Sequence, residues 1–292
     1  MKRTSPVRAF SIVTCNPPGF AHAGIFNEVA ETIHHGLRAA GADSVMAENS
    51  FFEDRVNIVF APHLLKYFPG WDAHGLDRIV LFNLEQIRPE LFAQIPHYGD
   101  LLRRCQVWEY DARNLDALAA MGVTGARHVR IGHAPEMGRI RDAEVQDIDV
   151  LFYGSPTARR LKLRDALADA GLAVHFAFGV YGAERDALIA RSRLVVNPCQ
   201  FDHGGIFDIV RLSYLLANRK AVVMEGGIDP AQEALYGDAV CFAPYEDLVG
   251  ECAYLCAVED ERIRIAQRGH ALFSNLPQRD FLRPLIDFPA AT

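Results

Sequence analysis

Two stretches of the chain place glycines, arginines and a carboxylate where a phosphorylated ligand could be held. In the first, Gly154 and Ser155 precede Pro156 and a run containing Arg159, Arg160, Lys162 and Arg164. A glycine at a strand end lets backbone approach a phosphate, and the first turn of a following helix offers free N–H groups to an anion. A guanidinium in that turn adds a fork of donors, so Arg159 or Arg160 would reach a diphosphate. A solvated basic helix face is the competing reading. In the second stretch, Gly204-Gly205-Ile206-Phe207-Asp208 opens a helical run, and Arg211 follows three residues after Asp208. The glycines would expose backbone donors and Asp208 would accept from sugar hydroxyls. Arg211, on the same helix face, would reach a phosphate. A surface ion pair has the same spacing, but Tyr214, Leu215 and Leu216 mark this helix as partly buried.

Other candidates stand alone. Tyr181 in FGVYG would stack on a nucleobase or pack on its own domain. Glu85, followed by Gln86, is a carboxylate that could act as a general base or hold acceptor hydroxyls. A helix cap or an ion pair with Arg88 is the plain alternative. His22, in FAHAG ahead of a long helical run, is the second candidate base. His34 and His35 fall inside that run and read as packing or surface residues.

These residues gain meaning from the elements that carry them. The short apolar runs Val150–Tyr153, Val174–Phe178, Leu194–Val196 and Ala221–Met224 alternate with helical patterns, which reads as βαβ units on a parallel sheet. In such sheets the ligand lies outside the carboxyl ends of the strands. Here those ends carry Gly154-Ser155, the FGVYG turn with Tyr181, Asn197-Pro198 and Glu225-Gly226-Gly227, so Asn197 and Glu225 join the ligand-binding candidates. The first half shows a similar alternation. Strands are expected at Ala9–Cys15, Ser44–Ala47, Val56–Ala61, Arg78–Phe82, Gln106–Glu109 and Val129–Ile131, with helices at Ile25–Ala40 and Asp111–Met121. Glu85 and His22 then both follow strand ends. Pro135 and Gly138 suggest a hinge in Gly132–Gln146. The expected domains are 1–135 and 147–292, the latter with a helical tail at Glu246–Phe273. A last helix at Asp280–Ile286 could pack back on the first half.

Composition narrows the function classes. A net charge of −7 argues against broad binding to nucleic acid or an anionic membrane. No apolar run reaches the length of a spanning helix, and no signal-peptide core precedes the first strand, so a cytoplasmic protein is expected. The six cysteines include no C-x-x-C pair and read as reduced, buried thiols. The G-x-G-x-x-G and P-loop patterns are both missing.

The segments DVLFYGSPTARR, FGVYGAERDALIARSRLVVNP and FDIVRLSYLLANRKAVVMEGG, with VLFNLEQI and VWEYDARN more weakly, resemble GT-B glycosyltransferases. They resemble in particular a bacterial group of short, CgeB-like or family-1-type glycosyltransferases. The resemblance runs from about Ala9 to Phe273. It implies an α/β fold of two facing Rossmann-like domains, each a parallel sheet with helices on both faces. The N-terminal domain would take the acceptor and the C-terminal one a nucleotide-sugar. Position by position, it assigns Gly154, Ser155 and Arg159 or Arg160 to the diphosphate, and Gly204, Gly205, Phe207, Asp208 and Arg211 to ribose, phosphate and donor sugar. It implies sugar transfer without a bound metal or cofactor, from a donor expected to be UDP-linked, to a glycan, lipid-linked glycan, protein or small molecule. An epimerase or hydrolase of the same fold and a non-catalytic binding module are the rivals. Retaining members often carry two glutamates separated by seven residues around the helix that Gly204-Gly205 opens, where this chain has a lone Asp208 and Arg211. Asp147-Ile148-Asp149 has metal-binding spacing, but it begins a strand, away from the expected ligand edge.

Overall fold

The computed structural model describes residues 8–201 and 205–286, which form two compact units. One comprises the described residues up to Ala134 together with those from Pro277 on. The other is Pro135–Leu276.

The first unit is built on a six-stranded parallel sheet. Its strands are β1 (Ala9–Thr14), β2 (Asp43–Glu48), β3 (Val56–Phe60), β4 (Ile79–Asn83), β5 (Gln106–Glu109) and β6 (Arg127–His128), in the order β2-β1-β3-β4-β5-β6. The central strands are apolar on both faces because helices cover both sides, and every residue of β4 is buried. Helix α1 (Asn27–Ala39) buries Val29, Ile33 and Leu37 along one face, the period read from the sequence. Two short helices, α2 (Pro89–Gln94) and α3 (Pro96–Arg104), occupy a stretch in which no helix was expected. Each begins on a proline, which fits a helix's first turn because its missing N–H would find no partner there. Helix α4 (Ala112–Ala120) is capped by the Asp111 side chain.

The last strand of this sheet lies earlier than expected, at Arg127–His128 instead of Val129–Ile131. β5 offers β6 only Trp108 and Glu109 as partners, and the ladder closes where the Val129 amide donates to the Glu109 carbonyl at 2.7 Å.

The second unit carries a five-stranded parallel sheet. Its elements are β7 (Ile148–Tyr153), α5 (Ala158–Asp169), β8 (Val174–Ala177), α6 (Gly182–Arg191), β9 (Ser192–Asn197), α7 (Ile209–Ala217), β10 (Ala221–Glu225), α8 (Pro230–Tyr236), β11 (Cys241–Ala243), α9 (Leu248–Ala257) and α10 (Glu259–Ser274). The strand order is β11-β10-β9-β7-β8. Val150, Phe152, Leu194 and Val196 from the middle strands meet Leu163, Leu248 and other side chains of the flanking helices in one apolar core. The chain leaves β7 for β8 on one side and returns to β9 on the other. That reversal opens a crevice at the carboxyl ends of β7 and β9.

Two boundaries differ from expectation. The second unit ends at Leu276 and not at residue 292, because helix α11 (Gln278–Ile286) packs on α1 of the first unit. Gly36 makes this close approach possible: a Cβ there would lie 2.5 Å from Gln278 Cγ and 2.9 Å from Leu282 Cδ1. The stretch expected as a hinge is fixed to the second unit at its start. Asn218 Oδ1 accepts from the Arg139 and Ile140 amides at 2.8 and 2.7 Å, and Asn218 Nδ2 donates to the Met137 carbonyl at 3.0 Å.

Candidate functional site

The crevice between the ends of β7 and β9 is lined by Gly154 and Asn197, with Arg211 reaching in from α7. Asp208 caps α7, its carboxylate accepting from the Arg211 amide at 3.2 Å. The same carboxylate accepts from Arg211 Nη1 at 2.6 Å, and Nη1 also donates to Asn197 Oδ1. The guanidinium lies 5.4 Å from the centre of the Phe152 ring and 5.2 Å from that of Tyr153. Gly154 has φ +149°, and a Cβ on it would come within 2.9 Å of Arg211 Nη2. Both facts require glycine at this strand end. Arg211 Nε and Asn197 Nδ2 are buried and have no hydrogen-bond partner among the described residues. Buried donors are nearly always satisfied, and leaving one unpaired costs about 1–3 kcal/mol. Both donors belong to residues at the topological switch point.

The neighbouring arginines are engaged differently. Arg160 is only 6 % exposed and gives its side chain to backbone: Nε and Nη2 donate to the Pro198 carbonyl at 3.2 and 3.0 Å, and Nη1 to the Ser155 carbonyl at 3.1 Å. It thereby ties together the loops that follow β7 and β9. Burial, with Arg211 nearby, lowers its pKa to about 10. Arg159 forms a two-pronged pair with Glu225, lies 3.7 Å from the centre of the Tyr245 ring, and accepts the Tyr245 hydroxyl on its carbonyl. Glu225 also accepts from the Cys199 amide at 2.8 Å. Ser155 is exposed at the rim.

The remaining candidates are more scattered. Phe207 is buried and stacks on Tyr236, a core position. Gly205 approaches Ile228, and Tyr181 starts α6 after the edge strand β8. Gly204 lies outside the described residues.

In the first unit, Glu85 follows β4 and faces His63, its Oε1 lying 3.8 Å from His63 Nδ1. Burial raises the pKa of Glu85. Burial, then the nearby His97 and Lys66, lowers that of His63 to about 4, so the imidazole is neutral at pH 7. His63 Nδ1 is buried without a hydrogen-bond partner among the described residues. The ring packs near Phe26 and Tyr98. His22 sits at the start of the 3-10 turn that carries Phe26 into α1. Beneath Glu85 lies a polar cluster not foreseen from sequence: Asn83, Tyr98, Glu109 and Asn114, all nearly inaccessible. Glu109 Oε2 accepts from Asn83 Nδ2 at 2.6 Å, and its Oε1 accepts from Asn114 Nδ2 at 2.9 Å and from the Asp111 amide at 3.0 Å. Burial pushes Glu109 up to about 7, opposed by these three hydrogen bonds.

Among the described residues, no group of three or more His, Cys, Asp or Glu side chains is placed to hold a metal ion. The Asp147 and Asp149 carboxylates pair with Arg191 and Arg193 at the amino end of β7, away from the crevice. The six cysteines are free thiols. No described helix is long and apolar enough to cross a membrane.

With this geometry in hand, the chain can be set beside known proteins. No protein-family model matches it. Uncharacterized protein L140 of Acanthamoeba polyphaga mimivirus is 25 % identical over 177 residues, 58 % of this chain and 56 % of that protein. The match thus spans just over half of this curated relative. Among solved structures, Anabaena HepE in complex with UDP and glucose superposes with a TM-score of 0.61 at 13 % identity, over 96 % of this chain and 98 % of that one. T4 phage BGT in complex with UDP and Mn2+ gives a TM-score of 0.62 at 12 % identity, over 97 % and 100 %. The fold is GT-B. Both structures align with the two parallel sheets described above over nearly their whole length.

Proposed function

We propose that this chain transfers a sugar from a nucleotide-diphosphate donor, UDP-linked, to an acceptor hydroxyl. The observation that carries this reading is the pair of unpartnered buried donors, Arg211 Nε and Asn197 Nδ2, beside the glycine at the β7–β9 switch point. Similarity to GT-B structures that hold UDP, and in HepE also glucose, supports the choice of donor. In this reading the leaving diphosphate lies against Arg211, Asn197 and the backbone of Gly154 and Ser155. The charge developing on it is met by a guanidinium and amide donors already in place. Arg160 supports the site indirectly by holding the two loops, and Arg159 with Glu225 braces its flank. The diphosphate then needs no bound metal, so EDTA leaves turnover unchanged.

Glu85 takes the proton of the attacking hydroxyl. Its desolvated carboxylate is a stronger base than an exposed one, and the neutral His63 beside it adds no positive charge that would lower its basicity. His22 is the alternative base. UDP-glucose is the probe, with UDP release followed against a panel of sugar, lipid-linked and peptide hydroxyl acceptors. Acceptor-dependent release is expected. Glu85→Gln should cut it by roughly 10² to 10⁴, the usual contribution of a positioned general base, with donor affinity unchanged. Release that no acceptor accelerates would point to a hydrolase or epimerase, and binding without any release to a non-catalytic module. A large loss in His22→Ala instead would move the base.

A further inference from the structure

We propose that Glu109 is a positioning residue, a buried carboxylate that fixes the loop carrying Glu85 through the amides of Asn83 and Asn114. The proposal rests on the reading of Glu85 as the base. The geometry is specific. Asn83 Nδ2 donates both to Glu109 Oε2 and to the Glu85 carbonyl, at 2.6 and 2.8 Å. Asn114 Nδ2 donates both to Glu109 Oε1 and to the same carbonyl, at 2.9 and 3.0 Å. The carboxamide oxygens grip the other side of the loop. Asn83 Oδ1 accepts from the Glu85 amide at 3.2 Å and from the Tyr98 hydroxyl at 2.5 Å, while Asn114 Oδ1 accepts from the Ile87 amide at 3.0 Å.

Each carboxamide can face the loop correctly only while its N–H side meets an acceptor behind it. Glu109 is that acceptor for both, and its remaining contact, the Asp111 amide, is a donor as well. Every group bonded to the Glu109 carboxyl therefore donates, so the arrangement fits the ionised form. A proton on either oxygen would face a donor and break a bond. The loop cannot then keep both carboxamides in place, and Glu85 loses its fixed setting opposite His63.

The titratable groups around Glu109 are Asp111, paired with Arg113 at 3.3 Å, Tyr98 and Glu85 through Asn83, and His128 level with it on β6. The His128 Nε2 is within 3.2 Å of the Tyr110 carbonyl, and burial lowers its pKa. His128 is therefore neutral at pH 7 and supplies no counter-charge to the carboxylate.

The test uses the full chain with Glu109→Gln, Asn114→Ala and Glu85→Gln. The first readout is hydrogen exchange at the Glu85 and Ile87 amides. Glu109→Gln replaces one acceptor by a donor, so exchange there should speed up at least tenfold while the strand β1 amides stay protected. The second readout is UDP release from UDP-glucose. Glu109→Gln should lower kcat about tenfold or more, leave the KM for UDP-glucose within twofold, and change the shape of the acid limb expected of wild type as pH falls through about 7, leaving only the titration of Glu85. Should Glu109→Gln not fold, Asn114→Ala, which removes one arm of the clamp, should show the same two changes to a smaller degree. Wild-type exchange at both amides in a folded variant would overturn the proposal. So would an unchanged pH profile in Glu109→Gln. If Glu85→Gln keeps full turnover, the base assignment falls, and the exchange readout still decides whether Glu109 holds the loop.

Discussion

Arg159 and Glu225 join the first turn of α5 to the end of β10 through two parallel nitrogen–oxygen contacts of 2.5 Å each. Their side chains are 15 % and 12 % exposed, so solvent screens the pair little. Glu225→Ala strands the guanidinium and leaves the Cys199 amide without its acceptor. The expected loss is about 3 kcal/mol of unfolding free energy, the low end for breaking a buried pair. Urea unfolding checks this, and Arg159→Met with Glu225→Met together should recover most of the loss. A wild-type urea midpoint in Glu225→Ala would show that the pair contributes nothing.

Gly154 tests how tightly the crevice is built. Alanine there must adopt φ +149° and put its Cβ 2.9 Å from Arg211 Nη2 and 3.1 Å from Phe152 Cζ. The backbone conformation alone costs about 1–3 kcal/mol. Because Arg211 must also move, UDP affinity should drop by roughly tenfold or more, as each 1.4 kcal/mol is tenfold. Calorimetric titration giving wild-type affinity for a folded Gly154→Ala protein would rule out Arg211 as a ligand at this position.

The seam between α1 and α11 rests on Gly36. Gln278 cannot simply swing aside from a new methyl group, because its Oε1 accepts from the Gly132 amide at 2.6 Å and its Nε2 donates to the Arg130 carbonyl at 3.1 Å. Gly36→Ala should therefore cost about 1–3 kcal/mol, the usual penalty for overpacking. Limited proteolysis should then cut around Pro277 faster than in wild type. Equal cutting rates would mean that α11 adapts freely.

Glu109 imposes a pH dependence on stability whose sign is unusual. Its pKa is raised in the folded protein from 4.5 to about 7. Between those values the folded state holds a proton that the unfolded state has released, so unfolding free energy falls as pH rises from about 4.5 to 7 and is flat above. The fall attributable to this residue is at most about 3 kcal/mol, from 1.36 kcal/mol per pH unit. Burial of Glu85 acts in the same direction, so the comparison with Glu109→Gln isolates the contribution. Measured by urea midpoint from pH 5 to 8, wild type should lose stability more steeply than Glu109→Gln as pH rises to about 7. Parallel curves would remove Glu109 as the source.

Much of the fold was legible because the central strands are short runs of Val, Ile and Phe closed by glycine, proline or asparagine. β4, β7, β9 and β10 are all of this kind. What escaped was short or locally ambiguous. α2 and α3 interrupt PELFAQIPHYGD with a second proline that reads as a breaker, although proline is also a favoured first residue. β6 is two residues long and defined only by its neighbour. At the site, the sequence set Gly154, Asn197 and Arg211 apart as candidates, but the roles of adjacent arginines could not be divided. Which of Arg159 and Arg160 turns inward depends on the Pro198 carbonyl and Glu225, both far along the chain. His63 and Glu109 gave no local signal. One is a lone histidine in APHLLKY and the other the last residue of β5; His63 faces Glu85, 22 residues on, and Glu109 joins Asn83, 26 residues back, to Asn114.

The central claim is that a nucleotide diphosphate rests on Arg211 and Asn197 at the end of β7 and β9, and isothermal titration of UDP and uridine against the full chain tests it most directly. The account predicts that UDP binds the wild-type protein. In Arg211→Met its affinity should fall by roughly 10- to 150-fold, the 1.5–3 kcal/mol range for charged hydrogen bonds. Asn197→Ala should weaken it less, and uridine should bind the three proteins alike. Unchanged UDP affinity in a folded Arg211→Met protein, or no UDP binding by wild type, would contradict it.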